Sequence, residues 1–273
     1  MNSFLTLACF VLAGGVAGST APDVAFSLAA SPAAAVGNED ITTPEAALAE
    51  LKAGNDRFVG SEITENIKEG KKSVEVRRRV GKRARTLSTQ QDPELREKLT
   101  EGQSPFAAIV TCSDSRTMDN LIFDQELGRL FTIRVAGNTP GAIGLASIEY
   151  AVKHLGSKIV VIMGHSKCGA VGAVADSKGK PLSGHMHAFQ EQMAGLMDVV
   201  VRDPNETEAD YKGRLEKENA IRQARAVYDR SEIVRELVDQ GKTMIVPAKY
   251  DLRTGKVTFF DAIEGSPQAG NEQ

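Results

Sequence analysis

Beyond Gln103 the chain alternates short apolar runs with longer amphipathic stretches, and this alternation constrains its fold more than any other feature. Phe106 to Thr111, Leu130 to Val135, Lys158 to Met163 and Met244 to Val246 are the runs. Each is short and apolar enough to be a strand buried on both faces. Helical spacing lies between them: Ile148, Val152 and Leu155, then Ile221, Ala224 and Tyr228, then Val234, Leu237 and Val238 before Gly241. Strands alternating with helices predict an α/β fold with a central, mostly parallel β-sheet flanked by helices. Tyr250-Asp251-Leu252-Arg253-Thr254-Gly255, set between two apolar runs, reads as a hairpin that adds an edge strand.

At the start of this domain, Thr42-Thr43-Pro44-Glu45 places a capping hydroxyl before Pro at the first helical position, and Leu48, Leu51 and Phe58 follow at near-helical spacing. An N-terminal helical arm is expected there, opening a domain that spans 42–265. Upstream, Phe4 to Val16 is almost wholly apolar and Ala17-Gly18-Ser19 offers small residues to a signal peptidase. Residues 1–19 are therefore expected to be a cleaved signal peptide, too short to span a bilayer, and the protein to be exported to the periplasm or beyond. No Lys or Arg precedes Lys52, so an ordinary Ala-rich leader is the competing reading. Residues 20–41 are small and polar and read as a flexible tether.

Charge narrows the partners. Lys plus Arg number 33 against 36 Asp plus Glu, a net charge of -3, so no global positive field recruits nucleic acid or an anionic membrane. Neither is expected as a partner. Between Ile67 and Arg85, however, nine basic residues from Lys68 to Arg85 face only Glu69 and Glu75. Without interleaved aromatics this stretch reads as a solvated helix or loop, with an anion contact as the alternative.

Ligands of an open parallel sheet gather beyond the carboxyl ends of its strands, and two of those ends carry metal-ligand residue types. One delivers Cys112, followed by Ser113-Asp114-Ser115-Arg116; the other delivers Gly164-His165-Ser166-Lys167-Cys168-Gly169. Two thiolates and one imidazole suit a borderline-soft divalent ion, and Cys2His with one open position is the pattern of a catalytic zinc site. Spacing alone leaves other readings open: a disulfide between Cys112 and Cys168, or two buried thiols beside a satisfied core histidine. No P-loop, dinucleotide fingerprint or complete nucleophile elbow is present. Asp114 and Arg116, two apart, can form a charge-assisted pair, and a carboxylate fixed beside a metal-bound water would aim its lone pair at an electrophile.

Together, Cys112-Ser113-Asp114-Ser115-Arg116 and His165-Ser166-Lys167-Cys168-Gly169 resemble the β-class carbonic anhydrases. The likeness extends through Phe131 to Asn138, Ile148 to Val152 and Tyr250 to Gly255. The resemblance implies Zn2+ on Cys112, His165 and Cys168, with water as the fourth ligand, and reversible hydration of carbon dioxide to bicarbonate and a proton. It implies that Asp114, held by Arg116, orients the nucleophile; in some members the corresponding aspartate swings onto zinc. Gln103 matches a substrate hydrogen-bond donor, and Phe131, Ala136 and Tyr150 match an apolar pocket, with Tyr150 entering from a second subunit. A homodimer or higher even oligomer is therefore expected. Thr117-Met118 departs from the family's usual valine and then a small residue or proline, and Ala248 stands where glycine is common. His154, His185 and His187 are the other imidazoles; Gly184-His185-Met186-His187 reads as a solvent-exposed loop. Two rival functions fit the same motifs: a zinc enzyme acting on carbon disulfide or carbonyl sulfide, and a non-catalytic, zinc-clamped binding or assembly protein.

Overall fold

The computed structural model describes residues 40–60, 62–66, 75–79 and 92–265, with backbone alone for 62–66 and 75–79. The expected signal peptide over 1–19, and all of the expected tether but Asp40 and Ile41, lie outside those residues. In chain order the elements are α1 (Pro44–Val59), β1 (Glu62–Asn66), β2 (Glu75–Arg79), α2 (Pro93–Lys98), β3 (Ala107–Thr111), α3 (Asp119–Ile122), β4 (Leu130–Arg134), α4 (Gly141–Lys153), β5 (Ile159–His165), α5 (Gly169–Ser177), α6 (His187–Gln192), α7 (Leu196–Val199), α8 (Glu208–Arg230), α9 (Glu232–Asp239), β6 (Met244–Tyr250) and β7 (Val257–Phe259).

The main sheet has the order β4-β3-β5-β6-β7. Its first four strands are parallel, and β7 closes one edge as the antiparallel arm of the hairpin expected after Tyr250. Every residue of β3 and β5 is buried, because helices cover both faces. The two-residue period of a strand then divides the side chains. Ala107, Ile109, Ile159, Val161 and Met163 join Leu51 of α1 and Phe123 in one cluster. Ala108, Val110, Val160 and Ile162 join Ile148 of α4, Val227 of α8 and Val234 of α9 in the other.

Local chemistry sets the helix ends. Thr43 Oγ1 accepts from the Ala46 N–H at 3.2 Å with Pro44 in the first turn, and Ser231 Oγ accepts from the Val234 N–H at 3.2 Å. Along α1, Gly54 has a packing reason: a Cβ there would land on the carbonyl of Phe123, which is backbone and cannot step aside. Gly54→Ala is expected to destabilise the domain by about 2–3 kcal/mol, read as a lower urea midpoint at unchanged slope. An unchanged midpoint would contradict this packing.

Two expectations are corrected. The basic stretch is not simply a helix or loop: Arg77, Arg78 and Arg79 lie in β2, paired antiparallel with β1 in the register Glu62↔Arg79 to Asn66↔Glu75. The β-branched residues Ile63, Thr64 and Val76 favour that extended backbone. The last parallel strand is also longer than its apolar run, continuing through Pro247 to Tyr250. A proline is tolerated there because β7 pairs only with Ala248 to Tyr250, so the missing N–H falls beyond the edge strand. Among the described residues, no helix is long and apolar enough to cross a membrane.

Candidate metal centre

Strands β3 and β5 are parallel neighbours, so the turns leaving their carboxyl ends emerge side by side. Cys112 is the first residue beyond β3, His165 is the last residue of β5, and Cys168 is the N-cap of α5. Their ligand atoms all lie within 4.8 Å of one another, and the three residues are 5%, 0% and 4% exposed. Ligands about 2.0–2.3 Å from one tetrahedral ion would sit roughly 3.5 Å apart, so the cluster is compact enough to close on zinc.

The alternatives left open by spacing do not hold. Both cysteines are free, so they are not joined as a disulfide. Nor is His165 a satisfied core histidine. Its Nδ1 lies 3.0 Å from the Ser166 carbonyl oxygen; a carbonyl can only accept, so Nδ1 carries a proton and, in the neutral ring that binds a metal, Nε2 presents a lone pair. That buried Nε2 has no hydrogen-bond partner among the described residues. An orphaned buried nitrogen is costly unless a cation takes its lone pair.

The field at this point favours a cation. A hydrogen bond from the Cys168 thiol, above all, and the Gly137 N–H at 3.3 Å hold the Cys112 thiol far below its ordinary range. The same contact, with burial, pushes the Cys168 thiol up. A divalent cation, which binds both sulfurs as thiolates, would take the place of that hydrogen bond. Burial disfavours charge on His165, but Cys112, the Ser166 carbonyl and Asp114 outweigh it and raise the imidazole. Cys168 also opens α5, and the Val171 and Ala170 N–H groups of its first turn act on its thiol in the direction opposite to burial, favouring the thiolate.

Asp114 stands beside the triad, its Oδ2 4.0 Å from His165 Nε2. Arg116 grips it as a fork: Nε donates to Oδ1 at 2.8 Å, Nη2 to Oδ2 at 2.6 Å, and the Arg116 N–H to Oδ1 at 3.0 Å. The guanidinium, above all, holds this carboxyl well below the usual carboxylate range. Asp114 therefore stays ionised, with its oxygens turned to Arg116.

A carbonic anhydrase family profile matches residues 107–257, more than half of the chain. Carbonic anhydrase 2 of Mycobacterium tuberculosis is 32% identical over 224 residues, 81% of this chain and 95% of that protein. The β-carbonic anhydrase CafA of the fungal pathogen Aspergillus fumigatus superposes with a TM-score of 0.56 at 29% identity, covering 63% of this chain and 83% of that one. The chain belongs to the β-carbonic anhydrase family. A tetrameric β-carbonic anhydrase of Sordaria macrospora also superposes, with a TM-score of 0.54 at 25% identity, over 64% of this chain and 91% of that one. β-Carbonic anhydrases are zinc enzymes, and in this carbonic anhydrase Cys112, His165 and Cys168 are the residues that would hold the ion.

The pocket residues expected from sequence divide. Ala136 follows β4 and adjoins Gly137, whose N–H reaches Cys112 Sγ, so it lies at the triad. Phe131 instead pairs with Ala108, four residues before Cys112 and so about 13 Å back along the sheet. Tyr150, 43% exposed on α4, packs against Phe131 with ring centroids 6.1 Å apart. Gln103 is exposed and precedes β3. Within one protomer, these three do not converge with the metal residues.

Sequence reasoning missed the residues that stiffen the site from behind. Thr117, visible only as a departure from the family pattern, is buried with its hydroxyl 2.9 Å from the carbonyl oxygens of both Cys112 and Asp114. Arg134 binds the same two carbonyls, Nε to Cys112 at 3.3 Å and Nη2 to Asp114 at 2.6 Å. Glu216 and Asn219 of α8 reach the site from the other side. Their only sequence signal is polar residues at Glu216, Asn219 and Gln223, on one helix face beside the buried Leu215, Ala220 and Ala224.

Proposed function

We propose that this enzyme catalyses the reversible hydration of carbon dioxide to bicarbonate, with Cys112, His165 and Cys168 holding the metal and Asp114 and Arg116 orienting the nucleophile. The observation that carries the reading is the unpartnered lone pair of His165 Nε2, buried with two free sulfurs beside an arginine-locked carboxylate. Zinc bound there supplies the Lewis acidity that brings a water's pKa near neutrality. The ionised Asp114 accepts a hydrogen bond from the attacking water, fixing which lone pair faces the substrate. Arg116 keeps that acceptor in place and charged. A small apolar slot suits a neutral, linear substrate that donates no hydrogen bonds, since a roomier polar one would fill with water.

In this reading the slot is completed by a second copy of the chain, which brings Gln103, Phe131 and Tyr150 to the triad. Their separation from Cys112 within one protomer, and the partial exposure of Tyr150, support a homodimer or a higher even oligomer. Export, resting on the apolar stretch from Phe4 to Val16, belongs to the same proposal.

Metal analysis of the purified protein, combined with stopped-flow assays on carbon dioxide, carbonyl sulfide and carbon disulfide, tests it. One zinc per chain with fast carbon dioxide hydration is expected. A faster reaction with either sulfur analogue would reassign the substrate, and bound zinc with background rates on all three would make the protein a zinc-clamped binding module.

A further inference from the structure

The buried polar face of α8 takes no part in the hydration chemistry, yet it reaches both cysteines. Glu216, 4% exposed, accepts a hydrogen bond from the Cys168 N–H on Oε1 at 3.1 Å. One turn on, Asn219 Nδ2 donates to the Gly137 carbonyl oxygen at 2.9 Å, and the Gly137 N–H reaches Cys112 Sγ at 3.3 Å. Gln223 Nε2 is in turn tied to Asn219 Oδ1 at 3.4 Å and to the Gln192 carbonyl at 2.7 Å. The helix also rides directly on β5: a Cβ at Gly164, the residue before His165, would sit 3.1 Å from the Glu216 carbonyl oxygen.

The Glu216 charge is cancelled on the spot. Lys249 Nζ lies 2.8 Å from Oε2 and donates to the Gly213 carbonyl at 2.8 Å. A buried ion pair seldom adds stability over an apolar pair of similar volume, so its position at the Cys168 N–H calls for another role. A neutralised carboxylate accepts that N–H without adding net negative charge beside two thiolates.

We propose that Glu216 and Asn219 are positioning residues that brace Cys168 and Cys112 at metal-holding spacing, and so set how long the enzyme retains zinc. The inference rests on the zinc reading of the triad, but not on which gas is hydrated. Glu216 acts through the backbone of Cys168, and Asn219 acts through the Gly137 peptide.

The test uses full-length zinc-loaded protein and its Glu216→Ala, Glu216→Gln and Asn219→Ala variants. Two quantities are read: the rate of zinc release into excess chelator, and the thiolate-to-metal absorption of the cobalt-substituted forms. Both Ala variants are expected to release zinc on the order of 10–100-fold faster and to shift the cobalt band. Glu216→Gln keeps an oxygen acceptor for the Cys168 N–H but sets its amide nitrogen against Lys249 Nζ, so it is expected to release zinc faster than the parent and more slowly than Glu216→Ala. If Glu216→Ala does not fold, Asn219→Ala carries the same test, since it strands no buried charge. Parental release rates in the Ala variants would overturn the proposal. So would release that merely tracks the melting temperature of the metal-free proteins, or a Gln variant as leaky as Ala. A parent that retains zinc without hydrating carbon dioxide would refute the assigned substrate and leave the brace intact.

Discussion

Cys168→Ala is expected to bring carbon dioxide hydration down to the uncatalysed rate and to leave the protein without stoichiometric zinc. The residue is a ligand, a fold element and an electrostatic partner at once. It is the N-cap of α5, it is buried in the cluster of Val171, Val174 and Met193, and its thiol holds the charge on Cys112. With two donors left, the ion keeps neither its geometry nor its charge compensation. Metal affinity is partly folding energy, so chelator should lower the melting temperature of the parent and have no effect on the variant. Equimolar zinc and parental turnover in Cys168→Ala would remove the metal centre from the mechanism.

Asp114→Asn separates orientation from metal binding. The triad does not include Asp114, so zinc content is expected to match the parent. Stability should change little, because Arg116 is half-exposed and water screens the pair. Turnover should nevertheless fall by on the order of 10²–10³. The Arg116 fork uses both carboxylate oxygens, and an amide nitrogen in place of one would confront a guanidinium N–H with another donor. The side chain would turn and lose its charge, so the acceptor that fixes the attacking water would be gone. The loss is expected in kcat rather than KM, with metal content measured on the same sample. Parental kcat in a zinc-replete Asn variant would show that Asp114 serves Arg116 and not the reaction.

The metal triad was legible in the sequence because each ligand sits at the end of an apolar run. Strand β3 delivers Cys112, and β5 delivers His165 with Cys168 three residues on. Once the runs are read as neighbouring parallel strands, proximity follows from topology. The Asp114–Arg116 pair was legible for a different reason: two residues apart in a turn, they need no tertiary contact to meet. Three features were not legible. The continuation of β6 through Pro247 depends on where its edge partner stops. The β-structure at Glu75–Arg79 depends on pairing with Glu62–Asn66, against a charge pattern that points to solvent. The brace on α8 depends on which face of a polar helix the sheet buries.

By itself the sequence determined the alternation of buried strands and helices, the donor set at two strand ends, and the family to which those motifs belong. All of these are carried by contiguous residues, whose apolar period and local turns act over a few positions of chain. The tertiary structure alone decided that the two sulfurs are free, that one imidazole nitrogen is left with an unused lone pair, and that Phe131 and Tyr150 lie a strand's length from Cys112. It also decided that Glu216 and Asn219 stand behind the cysteines. Those outcomes depend on which groups become each other's neighbours once water is excluded. A buried polar atom must find a partner across the fold, and no spacing along the chain specifies which one it finds.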